Sequence, residues 1–489
     1  MTGWHLVRVT LEALSPLSCG SGEAGPETDV HLVRDPSGLP TIPGSTLQGL
    51  LRAFHPAGPV RDALFGCEDR DGTGTAGRLV FSHARVHDSC DVAAGFPADL
   101  ADPLLADLAK VAPVRRDHVK LTHRHAAEEG AQFDRAAVPV GTRFSFEVLM
   151  RGEETEKDAL LEVLSALAHP LFRIGGKGRR GYGRVEVRKL HHGFFPAAMA
   201  DAFRETRARP LSDMQGLQHE ALQPAEVTVI TLRLMPEGPW RTGGDGAPVL
   251  SQVRVRGAGQ GGGDLNIPRQ QVGTAPTREA VVVERNGTRE LRAPSASVAR
   301  DYVLPGSSVA GPLRHRTIFH WNRLMGQFVD PASPPDATTL QGWREGRGGT
   351  DALFGWSRPV ARAEKPDGRA SALVFDDVRF QPTGVLALDH VVIDAFHGGA
   401  RGRLLFDEEL VAPESLKVTI AVDRRWGTGD PDARQALGLA IRDLLTGRLA
   451  LGAKSYGFMD GRWTVEGPDS EPWRAALTAA GAPEREPAA

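Results

Sequence analysis

The chain has 489 residues, 41% hydrophobic and 24% charged, a profile that predicts two or three globular domains and excludes a disordered chain. Its formal net charge of −3 excludes a uniformly basic nucleic-acid binder, so any contact with phosphate has to come from a local patch. Three cysteines, Cys19, Cys67 and Cys90, are too few for a disulfide framework and predict a reducing, cytoplasmic setting. Met1 to Leu14 lacks a basic stretch followed by an apolar run, so no signal peptide is expected, and no apolar stretch reaches the length that crosses a bilayer.

In chain order, Val7, Val9 and Leu11 alternate with Arg8, Thr10 and Glu12, which predicts a strand buried on one face. The segment Ile42-Pro43-Gly44-Ser45-Thr46-Leu47-Gln48-Gly49-Leu50-Leu51-Arg52 reads as a helix start, with Ser45 as N-cap and Gln48 completing a capping box. Leu64-Phe65-Gly66, a strand-like Leu79-Val80-Phe81, His118-Val119-Lys120-Leu121 and Phe133-Asp134 follow. Glu156 to Ala168 predicts a helix, and a glycine-rich loop from Gly175 to Gly183 leads into a strand at Arg184 to Val187. Between Arg173 and Lys189 lie seven basic residues and one acidic residue, Glu186. Taken alone, such a run is most often a solvated face.

The same landmarks then return in the same order. Ile230, Leu232 and Leu234 alternate as the opening strand does. Leu304-Pro305-Gly306-Ser307-Ser308-Val309-Ala310-Gly311-Pro312-Leu313-Arg314 repeats Pro, Gly, Ser, Gly, Leu and Arg at identical spacing, with Pro312 predicting a short or kinked second helix. Leu353-Phe354-Gly355, Leu373-Val374-Phe375, His390-Val391-Val392-Ile393, Phe406-Asp407 and Gly452-Ala453-Lys454-Ser455-Tyr456-Gly457 complete the series. A tandem duplication is the expectation: a first domain over residues 1–190, a linker over 191–223, a second domain over 224–468 and a loosely held tail over 469–489. Mixed strands and helices predict an α+β, ferredoxin-like unit in each half. Gly257 to Asp264 and Pro331 to Thr350 look like mobile inserts.

Pro-Gly-Ser-x3-Gly-x2-Arg, Leu-Phe-Gly and a terminal glycine-rich loop, taken together, resemble the RAMP superfamily of CRISPR-associated proteins, most of all the backbone subunits of type III (Csm- and Cmr-like) effector complexes. The resemblance covers most of Met1 to Lys189 and, more loosely, Val227 to Gly467. It implies two modified ferredoxin-like, RNA-recognition-motif-like domains with thumb insertions, fused in one chain. It further implies guide RNA and complementary target RNA as partners, alongside other effector subunits including a large polymerase-like one, and a role in antiviral defence. In such subunits an aspartate in a loop before the Pro-Gly-Ser motif carries target cleavage, and here Asp29 holds that position. A carboxylate there would act as base or as ligand to a divalent ion, Mg2+ being expected; a loop aspartate considered alone is more often a turn residue. In the second half Leu250 and Ser251 fall where the aspartate is due, Asp245 comes too early and Asp264 lies in an insert, so the second repeat is expected to bind RNA without cutting it, the alternative being a cut by an aspartate that the spacing does not align.

Candidate phosphate contacts are Lys177, Arg179, Arg180 and Lys454 in the glycine loops, with Ser45, Arg52, Ser307 and Arg314 on the two Pro-Gly-Ser helices. Arg52 and Arg314 are also what a surface salt bridge would use. His118 and His390 are expected to shape the thumbs. Cys67, His83, His87 and Cys90 match a zinc pattern only in part; His83 falls in a predicted strand and the second half has no cysteine, so structural Zn2+ is the lesser expectation. A non-catalytic scaffold and a guide-processing endoribonuclease with a His or Lys acid–base site remain the alternatives.

Overall fold

Alternating apolar residues build the central strand of the first unit, β1 (Thr2–Ala13). The computed structural model describes residues 2–236 and 298–468 apart from 24, 26–27, 69–73, 122–126, 359–366, 381, 424–429 and 452–460, together with short strands between 243 and 292. After β1 come α1 (Gly44–Phe54), β2 (Leu79–Phe81), a long hairpin of β3 (Val114–Leu121) and β4 (Ala127–Ala137), then β5 (Arg143–Glu153), α2 (Lys157–Ser165), β6 (Val185–Pro196) and α3 (Ala200–Ala208). The sheet runs β6-β1-β5-β2, antiparallel throughout, and short strands at Gln218–His219, Thr41–Ile42 and Ala84–Val86 extend its edges. Leu47 and Leu51 of α1 and Leu160 and Leu164 of α2 close the core against Val7, Val9 and Leu11.

The second unit carries β7 (Thr228–Pro236), α4 (Gly306–Leu324), α5 (Ala337–Glu345), β8 (Leu373–Phe375), a hairpin of β9 (Pro382–Ile393) and β10 (Ala400–Pro413), then β11 (Leu416–Val422), α6 (Pro431–Leu445) and β12 (Gly461–Pro468). Its sheet runs β12-β7-β11-β8, so corresponding strands of the two units stand in the same order. The hairpins agree to the residue: His118 faces Phe133 and Asp117 faces Asp134, as His390 faces Phe406 and Asp389 faces Asp407. The Pro-Gly-Ser motif has the same physical cause in both units. A Cβ on Gly44 would strike the carbonyl of Phe81, and one on Gly306 the carbonyl of Phe375, so only glycine lets the helix start press on the adjoining strand.

Several sequence expectations give way to longer-range packing. Helix α1 starts at Gly44 with Pro43 as N-cap and no side-chain cap, because Gly44 itself has to lie in the helix to meet Phe81; Ser45 is exposed in the first turn. Helix α4 runs 19 residues through Pro312. A proline inside a helix costs about 3 kcal/mol, and burial of Val309, Leu313, Ile318 and Trp321 offsets it. The stretch 331–350 is partly ordered as α5, capped by Asp336, with Gly349 against the Trp321 ring. Gly257 to Asp264 lies outside the described residues.

Strand β1 is covered on both faces, not one, and Arg8 and Thr10 are fully buried. The cover is the segment after β6, which itself runs through His191–Pro196, inside the stretch expected to be linker. The C-terminal end of α3 and the turn that follows it present carbonyls of Thr206, Arg209, Pro210 and Asp213, and the Arg8 guanidinium donates to all four. A guanidinium is the natural cap for a buried helix C-terminus.

Beneath the same sheet His5 and His192 form a buried pair, Nδ1 to Nε2 at 2.9 Å, with His5 Nε2 2.8 Å from the Glu153 carbonyl. Burial pushes both imidazoles down, His192 to about 4. The unfolded chain therefore binds a proton near pH 6.5 that native His192 refuses until about 4, and the lowered His5 acts in the same direction. Urea unfolding is expected to show stability falling as pH drops through that window, by on the order of 2–3 kcal/mol. His192→Phe should flatten the dependence.

Candidate nucleic-acid interface

The glycine-rich loop of the first unit sits at the junction between the two halves, which sequence alone did not place. Arg180 bridges to Phe375, and the Phe375 N–H donates to the Arg179 carbonyl at 3.2 Å, so the loop docks edge-on to β8. Leu171, Val374 and Ala421 form an apolar contact beside it. Gly181 has φ +93°, and a Cβ there would meet the Asp377 carboxylate, so the loop can approach only as glycine. Gly183, at φ +73°, is pressed likewise against the Ile174 carbonyl.

Two aspartates of the second unit receive the loop. Asp376 accepts from Arg173 at 2.8 Å and from Arg184 at 3.2 Å. Asp377 pairs with Arg116 of β3 at 2.6 Å and accepts from the Gly306 N–H at 2.9 Å. The amide at the start of α4 is thereby filled from within the chain, next to half-buried Ser307. Arg179 pairs with Asp423 at 3.2 Å. Three candidate or adjacent basic residues, Arg173, Arg179 and Arg184, thus hold the halves together; the charge run is only partly a phosphate surface.

The remaining cations converge. Lys177, at φ +61°, lies with its Nζ 4.9 Å from the Phe133 ring centroid. Burial and the charges of Arg180 and Arg135 push its ammonium down to about 8. Burial, then the charge of Arg180, lowers Arg314 as well, against Glu345 and Asp351. His118 donates or accepts at the Tyr182 hydroxyl, 2.9 Å away, and burial followed by Lys177, Arg116, Arg135 and Arg180 pushes it to about 4, which leaves it neutral. Among the described residues Arg135, Lys177, Arg180 and Arg314 have no ion-pair partner, and the Arg135 Nε is buried without a hydrogen bond. Among the described residues Arg135 donates only to the Ser18 hydroxyl, at 3.3 Å. Neighbouring cations whose fields oppose one another are suited to an anion, and Arg180 is exposed to meet one.

Residues 10–186 match the model of the RAMP superfamily. The matched range is the first unit, from within β1 to the start of β6, so the likeness to this superfamily lies in that part of the chain. The mixed helix and strand content agrees with the expected α+β class. A comparison with curated proteins gives no match. No helix among the described residues is long and apolar enough to cross a membrane.

Other candidates fall elsewhere. Arg52 lies 3.9 Å from Asp62, both half exposed, the surface pairing weighed for it. Lys454 lies outside the described residues, as do Asp245, Leu250, Ser251 and Asp264. The zinc set does not assemble: His87 is buried between Asp91 and the Ser145 hydroxyl, both at 2.8 Å, Cys67 contacts the Thr75 hydroxyl at 3.1 Å, and His83 and Cys90 are exposed. Among the described residues no three His, Cys, Asp or Glu side chains group as metal ligands.

Asp29 is exposed and tied to the base of the β3–β4 hairpin. Its N–H donates to Asp134 Oδ1 at 2.7 Å, and its own Oδ2 accepts from the Asp134 N–H at 2.9 Å. Its second oxygen, Oδ1, has no hydrogen-bond partner among the described residues. One open carboxylate oxygen suits Mg2+, which keeps waters and takes few protein ligands, the rest coming from phosphate oxygens. Sequence reasoning missed Asp134 and Arg135; the Phe-Asp pair recurring in both hairpins was the available signal.

Proposed function

We propose that this chain is a double backbone subunit of a type III CRISPR effector, two tandem ferredoxin-like RAMP domains that hold guide RNA and cut complementary target RNA at Asp29. The observation that carries the reading is a run of neighbouring cations, Arg135 and Arg180 beside Lys177 and Arg314 beside Arg180, none with an ion-pair partner among the described residues. The shared strand order and identical hairpin registers support the tandem part of it. In the proposed cut the target's 2′-hydroxyl attacks the adjacent phosphorus, the 5′-oxygen leaves, and a cyclic phosphate and a 5′-hydroxyl result. Asp29 is suited to take the hydroxyl proton or to hold a cation by its open oxygen. Magnesium, when bound, would supply charge neutralisation at the phosphate.

The test is cleavage of a guide-complementary RNA by the assembled complex with Asp29 or with Asp29→Ala, in magnesium and in EDTA. Loss of one cut, with target binding intact, is expected. An unchanged cut pattern would leave the chain an RNA-binding scaffold, and cuts that follow the repeat hairpin of the guide precursor would make it a processing enzyme.

A further inference from the structure

Asp29 sits in a loop that begins with left-handed Gly22, yet its backbone N–H and its carboxylate are each held by a single residue of the thumb hairpin. Asp134 takes the Asp29 N–H on its Oδ1, which fixes the backbone of the loop at that residue. Its own N–H occupies Asp29 Oδ2, which fixes the side chain and leaves Oδ1 as the reachable oxygen. The Ala136 N–H donates to the Val30 carbonyl at 3.1 Å, so the next residue of the loop is tied to the same strand. Asp134 is itself buried and held by Arg115 of β3, Nη2 to Oδ2 at 2.6 Å, and Arg115 also lies 3.5 Å from Asp117 on its own strand.

We infer that Asp134 is a positioning residue for the chemistry at Asp29, and that the thumb base, through Arg115 and Asp134, sets where the Asp29 carboxylate points. The inference rests on the cleavage reading above. Its physical basis is that an exposed loop carboxylate samples many directions, whereas in-line attack tolerates few; a group locked by a buried neighbour is preorganised. A carboxylate 2.7 Å from the Asp29 backbone is an expensive way merely to close a loop, since a neutral carbonyl would serve. Here the charged partner is buried, paired with Arg115, and carried on the element that the family resemblance places against the RNA.

The experiment compares the guide-loaded complex with wild-type chain, Asp29→Ala, Asp134→Ala and Asp134→Asn, measuring target affinity, the single-turnover rate of each cut at saturating target, and the melting temperature. Asparagine keeps an Oδ1 acceptor for the Asp29 N–H; alanine does not. Asp134→Ala is expected to slow the Asp29-dependent cut by roughly 10- to 100-fold, the range a small misplacement produces, with target affinity unchanged and Asp134→Asn restoring most of the rate. Asp134→Ala cutting at the wild-type rate while Asp29→Ala does not cut overturns the inference. So does a loss of affinity or melting temperature that accounts for the slower cut, or Asp134→Asn cutting as slowly as Asp134→Ala. A cut that persists in Asp29→Ala overturns the cleavage reading itself.

Discussion

Asp377→Ala is expected to destabilise the chain by about 3–5 kcal/mol, the loss typical of breaking one side of a buried ion pair. Both side chains of the Arg116–Asp377 pair are 4% exposed. Burial pushes the Asp377 carboxyl up against the pull of Arg116, so the intact pair contributes modestly to stability. Removing the carboxylate is another matter. It strands the Arg116 guanidinium, which is left with the Tyr182 ring 5.2 Å away, and it deprives the Gly306 N–H of its acceptor. The double replacement Arg116→Met with Asp377→Leu should recover most of the loss, because neither partner is then left buried and charged. Urea unfolding of the full chain measures both. A single-variant loss under about 1 kcal/mol would mean the pair is solvated and the halves are joined by other contacts.

The contrast between these residues and the repeated motifs explains what the sequence could reveal. Pro-Gly-Ser and Leu-Phe-Gly were legible because their glycines answer local steric demands that recur: Gly44 and Gly306 touch matching carbonyls, and Gly66 and Gly355 each fold against a following strand. Hairpin landmarks were legible because register preserves them, His118 with Phe133 and His390 with Phe406. Partnership across the fold was not. Arg8 alternates as an outward residue should, and nothing within its strand shows that residues 206–213 return to cover it. Arg179 and Arg180 are adjacent in one loop, yet Asp423 engages the first and leaves the second exposed. The Asp376–Asp377 doublet, standing where the first repeat has Ser82–His83, was the written sign of an internal counter-surface, readable only once its arginines are known.

That division of the basic residues into used and available ones gives the second large effect. Joint replacement of Lys177, Arg180 and Arg314 by alanine should weaken RNA binding strongly and lower its salt dependence. Each single-strand phosphate contact contributes about 0.7 to the slope of log affinity against log salt, so losing three lowers it by roughly two. Arg52→Ala should leave binding near wild type, since Asp62 already engages that side chain. Arg179→Ala should act on the junction through Asp423 more than on RNA. Lys177 adds a signature that general loss of charge would not produce. Its ammonium titrates at about 8, and only the protonated form neutralises phosphate, so affinity should fall as pH rises from 7 to 9. Lys177→Arg keeps its charge across that range and should remove the dependence. Fluorescence anisotropy with a short single-stranded RNA, titrated in salt at both pH values, reads all of these. Equal slopes for wild type and the triple variant would place the RNA on another face, and leave the junction cations to a different anion.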